Sequence, residues 1–415
     1  MVSLSSLFGD DADILHETNF QALFLANILG PLGLGLLSPV LDSLIDPFGT
    51  SAANVGLLMS AYTAPAIVLI PLAGLLADLI GRKPMLIGGI LLLGPTGAAI
   101  SLTTDFRIAL ALRLLQGIGA AAIVPIIIAS LGDLYEGTRE ATAQGLRFTS
   151  SGLTQVVFPL IAGVLVGLSW RFPFLLYLVA LPIAGVVYAW FDEPGTDNDE
   201  EGPDSIGETL RSLRELLAFR HVQAVVFVRG LPGMLWIGFL TYNSIIVVQF
   251  LNRDPVQAGL LAALGSLSFA LAASQAGRIT ALFSSRLYPL LAANLALGVG
   301  FSIVVLAPTL PLAMIGTVSL GCGFGITLSI YRSLITGMAP PALRGSIVSV
   351  AESFGRLTIT ATPAVMGLAI GALSPRLGFQ IALQTVGVAT AAIAAIGGIG
   401  GLLVVNATSP PYSEE

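Results

Sequence analysis

Apolar runs of about 20 residues recur from Asn19 to Val405, and this recurrence leaves few folds open to the chain. A helix needs roughly 20 such residues to cross about 30 Å of hydrocarbon. Lipid offers no partner for a backbone amide or carbonyl, so only helices and closed barrels can span it. Barrel strands alternate polar and apolar residues, whereas Pro84 to Leu102 and Leu377 to Val405 are apolar on nearly every face. The chain therefore reads as an all-α membrane protein. Composition agrees, with 55% hydrophobic and 10% charged residues and a mean hydropathy of +0.90.

Spans are expected near 19–41, 54–79, 84–103, 107–132, 142–168, 170–191, 221–250, 256–282, 287–307, 311–334, 345–373 and 378–405. Lys and Arg are retained on the cytoplasmic side, so loop charges set the orientation. Arg82, Lys83, Arg139, Arg211, Arg214, Arg220, Arg278, Arg286 and Arg344 fall in one set of alternate loops; Arg107, Arg171, Arg253 and Arg376 fall in the other. That asymmetry predicts both termini inside and an even number of spans. Met1 to Glu17 lacks the basic region of a cleaved signal peptide, so no leader is expected to be removed. The expected organisation is a cytoplasmic segment (1–18), a six-helix bundle (19–191), a cytoplasmic linker (192–220), a second six-helix bundle (221–405) and a cytoplasmic tail (406–415). Within the linker, an acidic stretch from Asp197 to Glu201 precedes a predicted amphipathic helix from Ser205 to Phe219.

Internal repetition supports two related halves. Gly56-Leu57-Leu58 recurs as Gly259-Leu260-Leu261, Gly74 as Gly277, Gly117 and Gly119 as Gly321 and Gly323, Arg139 as Arg344, and Gly152 as Gly355. Each pair is separated by 203 to 205 positions. Chance matches are common in a chain rich in Gly, Leu and Ala, but chance does not hold one offset across four helices. Duplicated bundles around a midplane site are the plan of many secondary transporters.

The stretch Gly74-Leu75-Leu76-Ala77-Asp78-Leu79-Ile80-Gly81-Arg82-Lys83-Pro84-Met85-Leu86 resembles the signature between the second and third helices of the major facilitator superfamily. Leu79 stands where that pattern has Arg. Arg113-Leu114-Leu115-Gln116-Gly117-Ile118-Gly119-Ala120-Ala121 is similar to the family's fourth-helix pattern, and Asp133 with Arg139 to its inner latch between the fourth and fifth helices. Pro159 and Gly163 fit the fifth-helix signature of the drug:proton antiporters, although Phe158 and Ala162 occupy usual glycine positions. The resemblance covers essentially the whole chain. It implies twelve helices in two pseudo-symmetric bundles working by alternating access, with Asp78 latching the cytoplasmic side of the outward-facing state. The group nearest in pattern implies efflux.

The same residue types have physical roles without the family. Gly74 permits close helix contact, Gly81 a tight turn, and Arg82 and Lys83 anchor a cytoplasmic loop. Ionisable groups inside a span are costly and mark function. Arg113, Arg147, Arg229, Arg332 and Arg356 fall within predicted spans, with Glu352 as the deeply placed acid. Glu352 and Arg356, four apart, share a helix face. Arg147, Arg229 and Arg332 lie near inner helix ends and have snorkelling to the surface as their alternative; Arg113 and Arg356 lie deeper and are expected to face water. Such excess positive charge would attract anionic or carboxylate-bearing solutes. Asn27, Tyr62, Gln116 and Asn243 complete the candidate solute-binding set, with helix–helix hydrogen bonding as the plainer role for each. Glu352 is the candidate coupling acid, followed by Asp42 and Asp46. Gly74, Asp78, Arg82, Lys83, Asp133 and Arg139 are the candidate gating residues.

No enzyme constellation emerges. His16 and His221 lie at predicted inner surfaces, Cys322 is the sole cysteine, and no Gly-rich phosphate loop is present, so neither a metal nor another cofactor is expected. The expected partners are a small solute, protons and the bilayer, with no nucleic acid and a monomeric chain. The leading expectation is a proton-coupled exporter of a small organic solute. Uptake or facilitative transport of a small anion, and a non-transporting sensor with a carrier fold, are the alternatives.

Overall fold

The computed structural model describes residues 10–193, 214–215, 217–338 and 344–408; the side chains at 10–12, 71, 73–75, 78, 336–337 and 344–346 lie outside the described set. Long helices dominate: α1 (Thr18–Asn27), α2 (Leu29–Gly35), α3 (Leu57–Ile80), α4 (Arg82–Ala99), α5 (Phe106–Leu134), α6 (Gly137–Leu168), α7 (Ala180–Trp190), α8 (Arg220–Ile245), α9 (Pro255–Ala281), α10 (Leu287–Leu306), α11 (Leu310–Gly337), α12 (Arg344–Leu377) and α13 (Phe379–Ala407). Among the described residues, ten spans are long and apolar enough to cross a membrane. The helix starting at Leu57 adds an apolar stretch over Leu57–Ile70.

The segment expected as one helix over 19–41 is instead broken. Pro31 has no amide to donate to the Asn27 carbonyl, and Gly30, Gly33 and Gly35 weaken the next turns, so α1 and α2 meet at Ile28 and regular helix ends after Gly35. The expected sixth span likewise opens with a short helix at Phe172–Leu175 and a 3-10 turn at Leu176–Val179 before α7. Boundaries elsewhere reflect local chemistry. Asp105 caps α5 by accepting from the amides of Arg107 at 2.7 Å and Ile108 at 3.4 Å. Gly81, at φ +99°, makes the sharp turn between α3 and α4. Most of the predicted linker, with the acidic run and most of the amphipathic helix, lies outside the described residues.

The sequence repeat is also a packing repeat. The helix α5 packs against α3 and α4, and α11 packs against α9 and α10 in the same way. A Cβ on Gly117 would strike the Tyr62 carbonyl of α3, and one on Gly321 the Gly265 carbonyl of α9. Gly119 likewise sits on the Gly89 carbonyl of α4, and Gly323 on the Ala293 carbonyl of α10. Both partners of each contact are thus displaced by nearly the same offset. Small residues let helix backbones approach closely in lipid, where packing rather than hydrophobic burial holds helices together.

Two helix pairs make extensive contacts between residues before 193 and residues after 220: α6 with α9, and α3 with α12. Gly163 and Gly259 bring α6 and α9 together over the carbonyls of Pro255 and Pro159. Gly367 of α12 packs on the Ala53 carbonyl just before α3, while Gly56 meets Thr241 and Pro363. Among the described residues, hydrogen bonds joining the two parts gather towards the end remote from the chain termini. Ser60 Oγ donates to the Thr360 carbonyl at 2.7 Å and Thr360 Oγ1 to Thr63 Oγ1 at 2.9 Å. Asn243 Nδ2 reaches Ser38 Oγ at 3.5 Å, the Asp42 amide donates to Ser244 Oγ at 3.1 Å, and Gln249 Nε2 donates to Asp42 Oδ1 at 2.7 Å.

Candidate solute pathway and gates

Breaking a helix inside lipid leaves carbonyls in need of donors, and Arg113 of α5, with Tyr177, meets the one at Gly33. Its guanidinium donates to the carbonyls of Gly33 at 3.0 Å and Leu58 at 3.1 Å, to Gln116 Oε1 at 2.6 Å and to Tyr177 Oη at 3.3 Å. The Tyr62 ring lies 4.3 Å from the guanidinium carbon. Arg113 and Gln116 are both fully buried. The expectation that Arg113 faces water is therefore corrected: protein groups occupy its donors, because a broken helix requires them. Gln116, which also donates to the Leu93 carbonyl, and Tyr62 belong to the same packed junction.

Asn27 is also fully buried, and its amide donates to the Arg147 carbonyl at 3.0 Å, Ser150 Oγ at 2.8 Å and Ser151 Oγ at 2.7 Å. It ties the end of α1 to α6. Asn243, buried near the remote end, donates to the Ala258 carbonyl at 2.7 Å as well as to Ser38. These residues hold helices together in this conformation.

A different set of charges converges between α6, α8, α11 and α12. Arg229 of α8 donates to Glu352 of α12 at 2.8 Å, with side-chain exposures of 9% and 33%. Arg332 and Arg356 also act electrostatically on Glu352, Arg332 acts on Arg147, and Arg356 acts on Tyr62 across the α3–α12 contact. Arg147 is anchored by Gln144 at 2.9 Å and stacks on Phe148 at 4.2 Å. Three guanidinium groups, Arg229, Arg332 and Arg356, thus act on one carboxylate, with Arg147 beside Arg332. Pairing within apolar helices holds Glu352, since an ion stripped of water needs a partner to remain charged.

At the termini end, Arg82 pairs with Asp133 and its amide donates to Glu193. Arg139 pairs instead with Glu17 and with Asp13, the latter at 3.3 Å, while Tyr135 Oη donates to Glu17 at 2.8 Å. Lys83 Nζ lies 5.7 Å from the Tyr188 ring centre. The side chains of Gly74 and Asp78 lie outside the described residues. Asp13, Glu17 and Glu193 were not singled out in the sequence, because acids beside a helix end carry no spacing signature. Pro363 and Gly367 were readable: they repeat Pro159 and Gly163 at an offset of 204.

Repeated hydrophobic helices with paired charges between them define a polytopic helical membrane protein. The chain belongs to the Major Facilitator Superfamily, which it matches over residues 23–363. It is 27% identical over 269 residues to the bacillibactin exporter of Bacillus subtilis, covering 63% of this chain and 66% of that one. It is 26% identical to the class E tetracycline resistance protein of Escherichia coli, over 85% of this chain and 87% of that protein. Matches to two B. subtilis multidrug proteins span 27% and 44% of their lengths, so these two and the bacillibactin exporter are each covered over less than two thirds. The fold is that of a bacterial homologue of the human lysosomal transporter Spinster in an inward-facing, unoccupied conformation, with a TM-score of 0.79, 18% identity and coverage of 93% and 96%. The nucleoside transporter NupG gives a TM-score of 0.80 at 12% identity, with coverage of 94% and 100%.

Proposed function

We propose that the protein is a secondary transporter that exports a small organic solute across the cell membrane by alternating access. Twelve spans form two six-helix bundles, 19–191 and 221–405, joined by a cytoplasmic linker, with both termini inside and the chain acting as a monomer. The observation that carries this reading is the gathering of hydrogen bonds between the two parts at the end remote from the termini. In the orientation taken from loop charges, that closes the outer side and corresponds to an inward-facing carrier. Efflux is the direction named by the relatives, which are described as an exporter and resistance proteins.

Solute binding is assigned to Arg147, Arg229 and Arg356, whose positive charge favours a carboxylate-bearing or otherwise anionic compound. Glu352 is the proton-coupling acid. The interior Arg–Glu cluster also favours a second reading, uptake or facilitative movement of a small anion, since anion binding there needs no proton exchange. Everted membrane vesicles energised by a pH gradient decide between them. Accumulation of tetracycline, a quinolone or benzoate that collapses with the gradient supports export; gradient-independent movement of benzoate alone supports the second reading, and no movement of any compound overturns both.

A further inference from the structure

Asp42 begins the 3-10 turn Asp42–Leu44 immediately after the first apolar segment, and it is the acid built into the remote closure. It is held through both backbone and side chain: its amide donates to Ser244 Oγ at 3.1 Å, and its carboxylate accepts from Gln249 at 2.7 Å. Both partners come from the other part of the chain. Gln249 sits in a π-helical turn, Ile246–Phe250, that continues α8, a local irregularity that recurs at functional sites.

A neutral amide is a weak counterpart for a carboxylate leaving water. Burial raises the Asp42 pKa, the Gln249 hydrogen bond lowers it in part, and the neighbouring Asp46 raises it further. Asp46 is exposed and is the charged group that acts on Asp42; Gln249 and Ser244 face it from the α8 end. Opening the gate would separate Asp42 from Gln249 and Ser244 and return it to water, while Asp46 stays beside it in both states.

We propose that Asp42 is a proton-binding site of the outer gate, so that protons arriving from the outer face close that gate and shift the carrier towards its inward-facing state. Linkage gives the sign. A carboxyl whose pKa is raised in the closed state favours closure when protonated, and this contribution is lost as pH rises through the raised value. The site has partners distinct from those of Glu352 and works whether or not Glu352 couples transport to protons. The proposal rests on the orientation and alternating access proposed above.

The test uses full-length protein in lipid nanodiscs, with Cys322→Ser removing the native thiol and spin labels at Ser51→Cys and Arg253→Cys across the gate. In the parent, the short-distance, gate-closed population is expected to rise as pH falls through the raised Asp42 pKa. The closed-to-open ratio should change by roughly tenfold for each unit separating the two pKa values. Asp42→Asn mimics the protonated acid and should hold the closed population high and nearly constant, while Asp46→Asn should keep a pH response. Gln249→Ala, which keeps the acid, should retain the response while weakening closure. Undiminished pH dependence in Asp42→Asn, or opening of the parent as pH falls, overturns the proton site. A single pH-independent distance in every variant overturns both the site and the moving gate. A labelled gate that still opens and closes while ignoring Asp42 overturns the site and leaves alternating access standing.

Discussion

Two arginines with the same charge have opposite tasks here. Arg113 ties the Gly33 carbonyl of the broken first span to the Leu58 carbonyl of α3, Gln116 and Tyr177, so its removal loosens this buried junction at a cost of roughly 1–3 kcal/mol for each group left unsatisfied. Arg113→Gln is therefore expected to lower the thermal midpoint in detergent and reduce the yield of folded protein; an unchanged melting curve would refute the structural role. Arg356 is only partly buried and faces Glu352 and Tyr62. Arg356→Gln should leave the melting curve nearly unchanged while weakening benzoate binding several-fold more than benzamide binding. Equal losses would mean that the charge does not recognise the solute. Glu352→Gln keeps size and hydrogen-bonding capacity but removes titration. It should abolish uphill movement in vesicles with an imposed pH gradient while sparing downhill exchange, and a variant that still concentrates solute would remove Glu352 from the coupling role.

At the scale of helices, glycine position separates folding from gating. Gly117 lies inside one part of the chain and packs α5 on α3, whereas Gly259 packs α9 on α6 between the two parts. Neither contact has room for a side chain, but their consequences differ. Gly117→Val blocks a contact needed in every conformation and should prevent stable folding. Gly259→Val blocks one needed when the remote end closes, so the protein should fold but populate the outward-open state. Labels across the outer gate report that balance, and a closed gate in Gly259→Val would contradict the assignment. Pro159 with Gly163 and Pro363 with Gly367 occupy the corresponding α6–α9 and α12–α3 contacts. Each proline also removes a backbone donor in mid-helix.

For the whole molecule, the balance between inward-facing and outward-facing states decides transport. Asp78→Asn is expected to preserve insertion while shifting that balance towards the inward-facing state, because the proposed latch closes the cytoplasmic side. An unchanged distance distribution between labels at the cytoplasmic ends would exclude it. Long apolar runs determined by themselves that the chain crosses a membrane as helices, since lipid leaves a backbone no other arrangement, and the fixed offset of Gly117, Gly119, Gly321 and Gly323 announced matching halves. What tertiary structure decided was the partner of each polar group. Sequence spacing reports neighbours on one helix face, as with Glu352 and Arg356, but not which other helix arrives opposite. Arg113 was therefore read as facing water until the broken helix supplied its acceptors, Arg139 proved to pair with Glu17, and Asp42 met Gln249 from more than 200 residues away. Those pairings depend on helix packing across the chain, which local periodicity does not encode.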